Sequence, residues 1–418
     1  MNLTLIVVLV IALALFFDFT NGFHDTANAM ATPIATGAMR PTVAVSVAAV
    51  LNLVGAFLST AVATSISHGL IREGAGGVAI TPGMIFAGLI GAVVWNMITW
   101  LRGLPSSSSH ALFGGLIGAA IAGAGFGSVN YGALLTVVIV PAMVSPVIAA
   151  LVALLCTRIA YRITRRPTFP NERGGFRIGQ IFTSSMVSLA HGTNDAQKTM
   201  GVITLTLIAA GAQSATQGVQ LWVIIACATA IALGTYTGGW RIIRTLGSGI
   251  IEIRATQGFS AEASTAATIL VSSHLGFALS TTQVTSGAII GAGLGRRGSA
   301  IQWSTAGKIV VAWFITLPAA ALVGAVAALI GHLGDLGLII DAVIGAVVIG
   351  GLYLWSRRRP IEQAATIEVD VAANTVLTRR ERRDLQRRKR AELVAARRVE
   401  LSREKTLRRM AARRGGRR

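Results

Sequence analysis

Two aspartates stand inside long apolar stretches of this chain, and each is set in the same short phrase. The first copy reads Asn21-Gly22-Phe23-His24-Asp25-Thr26-Ala27-Asn28-Ala29-Met30. The second, 170 residues later, reads His191-Gly192-Thr193-Asn194-Asp195-Ala196-Gln197-Lys198-Thr199-Met200. Gly22 aligns with Gly192, Asp25 with Asp195 and Met30 with Met200. An ionisable side chain at bilayer depth is costly and marks a functional site by default. A carboxyl group there can take up a proton or hold a cation, and an imidazole such as that of His24 or His191 can accept a proton, so the chemistry on offer is ion handling. A polar, glycine-containing interruption repeated in two corresponding membrane segments points to a transporter's binding site.

A second feature is also written twice. Pro105-Ser106-Ser107-Ser108-Ser109-His110, followed by Gly114 and Gly118, aligns at an offset of 173 with Ala278-Leu279-Ser280-Thr281-Thr282-Gln283, followed by Gly287 and Gly291. Hydroxyls at the start of a membrane helix cap its free backbone N–H groups. The same geometry aims those N–H groups, at the positive end of the helix dipole, toward an anion.

Each residue has a plainer alternative. Asp25 and Asp195 could each satisfy a neighbouring helix end, and Thr26, Asn28 and Thr193 could be interhelical hydrogen-bond partners. His24, His110 and His191 fit proton coupling or simple hydrogen bonding, whereas His68, His274 and His332 read as packing residues. Lys198 stands where the first copy has Asn28, and it neutralises either Asp195 or a substrate's charge. Glu262 is a third buried-acid candidate, and its counterpart in the first half is the apolar Leu89. Arg102, just before the first serine tip, is an interfacial anchor or an anion ligand.

Other chemistries are excluded. Ser109 beside His110 has no nucleophile elbow and no acidic partner. The glycines of 123–127 and 291–295 follow no strand, as a dinucleotide fold requires. Cys156 and Cys227 lie in apolar spans and form neither a disulfide framework nor a metal-ligand spacing.

The elements that must position these residues are membrane helices. Hydrophobic residues make up 53% of the chain, glycine is abundant at 47 residues and the mean hydropathy is +0.66. That composition suits closely packed transmembrane helices. Apolar stretches recur at 2–17, 41–66, 83–101, 132–157, 201–210 with its flanks, 219–238, 305–330 and 336–355. The fold expected is an all-α integral membrane protein: an inverted-repeat transporter with broken helices, two helical hairpins and about nine to twelve membrane helices. The divisions expected are a first repeat at 1–157, a basic linker at 158–178, a second repeat at 179–330, a final helix at 331–356 and a basic tail at 357–418.

Charge sets the expected orientation. Lys and Arg collect in the linker, at Arg241, Arg244 and Arg254, at Arg296-Arg297 and in the tail, where 21 Lys and Arg face 8 Asp and Glu. Placing these clusters in the cytoplasm puts the N-terminus outside and gives each repeat an odd number of crossings, so that the halves are inverted. The first helix, with no basic leader and no cleavage site, reads as retained. The tail is expected against anionic lipid rather than nucleic acid, because no aromatic residues interleave its charges.

The two Asp phrases and the two tips resemble the motifs of the inorganic phosphate transporter (PiT) family of symporters, over about residues 1–355. Phe23-His24 before the first Asp and Gln197-Lys198 after the second are most similar to its bacterial low-affinity branch. The resemblance implies a homodimer of all-helical protomers importing phosphate, alone or as a complex with a divalent metal, with no bound cofactor. It implies phosphate ligands at Asn28, Ser107, Ser108, Asn194, Ser280 and Thr281. The coupling ion or proton would use Asp25, Asp195, His24, His191 and Glu262. His24 replaces the Asn of many sodium-coupled members, Asn52 a Glu and Gln283 a His, which favours protons over sodium. A sodium-coupled phosphate or sulfate carrier of the same fold, and an anion channel, are the competing readings.

Overall fold

In hydrocarbon every backbone polar group must be satisfied within the protein, so apolar runs of this length fold as helices. The computed structural model describes residues 3–64, 80–164, 172–277 and 279–358. His68, Ala278 and the tail beyond residue 358 lie outside them. Among the described residues the chain forms α1 (Leu3–Ala35), α2 (Pro41–Gly55), α3 (Pro82–Leu101), α4 (Ser108–Ala124), α5 (Tyr131–Ile163) and α6 (Glu172–Ala209). There follow α7 (Leu221–Thr237), α8 (Trp240–Gly249), α9 (Ala255–His274), α10 (Thr281–Gly295), α11 (Trp303–Gly331) and α12 (Asp335–Arg358). An isolated bridge pairs Ile251 with Ile301.

Among the described residues five helices (α1, α3, α5, α11 and α12) are long and apolar enough to cross a membrane, and α7 with α8, bent by 59°, makes a sixth if the pair is one span. That bend falls at Gly238-Gly239, where Gly238 has φ +73°. The exposed faces of α5, α11 and α12 carry Val147, Leu151, Leu155, Phe314, Leu322, Leu329, Val347 and Leu354, while Asp, Asn, Ser and Thr fill the interior. Large exposed apolar faces around a polar centre are what a lipid-embedded protein presents.

The Asp phrases interrupt the apolar sequence without interrupting a helix. α1 runs unbroken through Asp25 for 33 residues and α6 through Asp195 for 38. Their polar side chains instead share one face, at Asp18, Asn21, Asp25, Asn28 and Thr32 on α1 and at Gln180, Ser184, Ser188, His191, Asp195 and Thr199 on α6. Steps of three and four residues keep such a series on one stripe. The two helices run antiparallel with these stripes facing, since Asn21 meets Asp195, Asp25 meets His191 and Thr36 meets Gln180. The motif glycines supply closeness rather than a break. A Cβ on Gly22 would lie 2.3 Å from the Ile231 carbonyl oxygen, and one on Gly192 would lie 2.2 Å from that of Asn52.

Packing repeats with the sequence. α4 lies on α11 through Gly114 and Gly118, which abut Leu317 and Ala321, and α10 lies on α5 through Gly287 and Gly291, which abut Pro146 and Ala150. α3 and α4 form one hairpin and α9 and α10 the other, and the second arm of each rests on a long helix of the opposite half. Helix extends into the expected linker from both sides, α5 to Ile163 and α6 from Glu172.

Candidate functional site

The second arms of the hairpins begin with their hydroxyl tips as caps. Ser107 accepts from the His110 N–H at 3.1 Å, and Ser280 accepts from the Gln283 N–H at 3.3 Å. The tips meet head to head: Ser109 Oγ donates to the Leu279 carbonyl at 3.3 Å, and Gln283 Nε2 lies 3.5 Å from His110 Nδ1. His110 and Gln283 are equivalent positions of the sequence duplication.

The next hydroxyl of each cap turns to the carboxylates. Ser108 donates to Asp25 Oδ2 at 3.0 Å. Thr281 lies within reach of both acids, 3.3 Å from Asp25 Oδ2 and 3.2 Å from Asp195 Oδ2. Thr282 reaches Asp25 Oδ1 at 3.2 Å. His24 Nδ1 lies 2.6 Å from Asp25 Oδ1, and its Nε2 lies 3.3 Å from Ser106 Oγ. His191 bridges the acids, its Nε2 being 3.1 Å from Asp195 Oδ2 and 3.8 Å from Asp25 Oδ2, while its Nδ1 lies 3.2 Å from Asn52 Oδ1. Lys198 pairs with Asp195 Oδ1 and also donates to Ser109 Oγ at 2.6 Å and to the Leu279 carbonyl at 3.0 Å. Asn28, its counterpart, donates to Thr282 at 3.0 Å and Thr281 at 3.3 Å. Each of Asn28 and Lys198 therefore ties its own helix to the opposite hairpin. None of the side chains Asp25, Asp195, His24, His191, Asn28, Lys198, Ser108, Thr281 and Thr282 is more than 2% exposed.

Of the residues read from the sequence, Asp25, Asp195, His24, His191, Asn28, Ser108 and Thr281 are gathered here. Ser107 and Ser280 serve the cluster as caps. Asn194 turns away, donating to Ser273 Oγ at 2.9 Å at the neck of the second hairpin. Glu262 forms a separate centre, accepting from Thr32, from Gln180 Nε2 at 3.0 Å and from Thr183 Oγ1 at 2.7 Å. Arg102 is exposed and lines a surface cleft with Leu101, Arg241 and Trp355, away from the acids. Sequence reading passed over Thr282, Ser109 and Asn21 as site residues, although all three lie inside the quoted motifs. Asn21 Nδ2 donates to Asp195 Oδ2 at 3.4 Å.

Two carboxylates sharing a hydroxyl, with two capped helix N-termini converging on them, can bind an anion and its counter-cations in one place. The sequence profile of the phosphate transporter family matches residues 21–324, which contain all of these side chains. The chain belongs to the phosphate transporter family.

A relative from Mycobacterium bovis, named "Probable low-affinity inorganic phosphate transporter", is 53% identical over 366 residues, covering 87% of each chain. One of the same description from Bacillus subtilis is 42% identical over 327 residues, covering 78% of this chain and 97% of that protein. A solved structure described as "The sodium-dependent phosphate transporter" superposes with a TM-score of 0.70 at 23% identity, covering 79% of this chain and 99% of that one. At that identity the likeness speaks for the fold. This phosphate transporter is thus an all-helical, multi-pass membrane protein and not an enzyme.

The caps give the family site a testable support. Ser107→Ala removes an N-cap and is expected to cost about 1 kcal/mol, read as a lower melting temperature of the purified protein. Ser107→Thr should restore it.

Proposed function

We propose that this transporter imports inorganic phosphate across the plasma membrane by proton-coupled symport with alternating access. Its two halves would be inverted, its N-terminus outside, and its basic tail cytoplasmic and held against anionic lipid. The family resemblance adds a homodimer.

The observation that carries this reading is the charge of the cluster. Asp25, Asp195 and Lys198 sum to −1 when both histidines are neutral. Phosphate brings one to two further negative charges, and burying that excess in a bilayer is prohibitive. Each proton taken up by His24, His191 or one of the acids lowers that excess by one charge, so the proton and the anion favour each other, and that coupling is reciprocal. Ser108, Thr281 and Thr282 then have hydroxyls free to turn from carboxylate to phosphate oxygens, beside the N-termini of α4 and α10.

A second observation favours phosphate travelling with a divalent metal. Asp25, His191 and Asp195 each present one ligand atom, and these lie within 4.8 Å of one another. A cation held there would be cargo rather than a resident group.

The test is phosphate uptake by purified protein in liposomes, under a pH gradient, a sodium gradient and neither. Uptake driven by protons alone is expected, stimulated further by a divalent cation if the complex is the cargo. Uptake driven only by sodium would replace the coupling ion, and sulfate uptake without phosphate uptake would replace the substrate.

A further inference from the structure

Asp18 lies two turns before Asp25 on the polar stripe of α1, and its side chain is 0% exposed. Both of its carboxyl oxygens lack a hydrogen-bond partner. It sits within an apolar layer that includes Ala14, Phe17, Val202 and Cys227. Thr199 of α6 is the side chain that interacts with this carboxyl, although its buried hydroxyl makes no hydrogen bond of full geometry, and the Oδ1 of Asn21, one turn along α1, is also buried and unpartnered. Three neighbouring side chains with unsatisfied buried oxygens form an anomaly, because each such group left unmatched costs about 1–3 kcal/mol.

The charged and titratable groups facing Asp18 are few. α6 presents Asp195, His191 and Lys198 on the inner side of the carboxyl, and α7 presents the Cys227 thiol. α2 and α3, also packed on α1, carry no titratable side chain. Lys198 and His191, the basic groups near Asp18 among the described residues, are already engaged by Asp195. A bare carboxylate in such surroundings is not tolerated; the group must carry a proton or hold an ion. An alkali ion stripped of water needs more oxygens than one carboxyl, one hydroxyl and one amide supply. A proton needs one.

We propose that Asp18 is a second proton-binding site of the transporter, loaded and unloaded in step with the Asp25–Asp195 centre and held by Thr199 and Asn21. The proton enters and leaves on a carboxyl oxygen of Asp18, and no other bond changes. The inference rests on the proton-symport reading and adds a site to it. Its position fits the role, since Asn21 is hydrogen-bonded to Asp195 while standing one turn from Asp18. A change at Asp195 is therefore felt at Asp18.

The experiment combines uptake with infrared difference spectroscopy after a pH jump. Asp18→Asn should retain phosphate binding and lose about tenfold of the stimulation by a pH gradient, in the range of ordinary site-to-site coupling. Asp18→Glu should restore most of it. The wild type should show a protonated-carboxyl band that Asp18→Asn lacks and that Thr199→Val shifts. If Asp18→Asn fails to fold, as judged by its melting curve, the Glu and Val variants and the band carry the test. Wild-type stimulation in Asp18→Asn, or a carboxyl band unchanged by all three variants, would overturn the proposal. Failure of the symport reading is distinguishable, because it appears in the wild type as uptake indifferent to a pH gradient. A band at Asp18 that responds to sodium instead of pH would overturn the proton assignment.

Discussion

Asp195→Asn should lower proton-driven phosphate uptake by about two orders of magnitude or more, and it should destabilise the protein as well. Lys198 is 1% exposed, and Asp195 is its only anionic partner among the described residues. Removing the carboxylate leaves a buried ammonium facing the Ser109 hydroxyl and the Leu279 carbonyl alone. Breaking a buried pair from one side costs about 3–5 kcal/mol, a factor of roughly 10² to 4 × 10³ in any equilibrium that needs the intact site. Asp25→Asn should stop uptake with less loss of stability, because Asp25 is held by His24 and hydroxyls and makes no contact with the lysine. The double variant Asp195→Asn with Lys198→Gln separates structure from transport. It removes both charges, so its melting temperature should recover toward wild type while uptake stays lost. Recovery of both would make the pair merely structural. Normal uptake with an unchanged pH profile in Asp25→Asn and Asp195→Asn would remove the acids from the mechanism.

The duplication made most of this centre legible. Asp25, Asp195 and the two hydroxyl tips stand out because each has a counterpart 170 or 173 residues away. Helical phase then decides which neighbours share the site, and phase is weakly written in a phrase. Asn28 is three residues from Asp25 and faces the same way, whereas Asn194 is adjacent to Asp195, about 100° around the helix, and turns to Ser273. Which tip hydroxyl caps and which faces the acids is a matter of one residue. The structure gives the cap to Ser107 and Ser280 and the carboxylates to Ser108 and Thr281. Lys198 left two readings open in the sequence, and in the structure it pairs with Asp195 on the same helix face. Asp18 escaped because repetition was the filter. It ends an apolar run, and its counterpart at the same offset is Ser188, which carries no charge. The motif glycines suggested breaks at Asp25 and Asp195, since a sequence does not reveal that a second backbone lies 2.3 Å from where a Cβ would stand. The continuous helices are the consequence.

The two glycine crossings under the hairpins should respond alike to substitution. A Cβ on Gly118 would stand 1.9 Å from the Ala321 carbonyl oxygen, and one on Gly291 would stand 2.0 Å from that of Ala150. Both obstacles are backbone of a long helix, so neither can turn aside. α4 must lift from α11, or α10 from α5, and overpacking of this kind costs about 1–3 kcal/mol. Gly118→Ala and Gly291→Ala should each lower the melting temperature, and their effects should add, since the sites share no partner. Gly350→Ala on α12 is the control: a Cβ there meets nothing, and alanine favours the helix by up to about 1 kcal/mol. Uptake should suffer more than stability. Gly118 is ten residues from Ser108 and Gly291 ten from Thr281, so a shifted arm carries its hydroxyl off Asp25. A contact of 3.0 Å at Ser108 has little slack before it ceases to be a hydrogen bond. Loss of uptake in both variants, with folded protein in the melting curve, is the expected result. Loss in one alone would mean that only one hairpin holds the site in place, and the functional equivalence of the halves would fall with it.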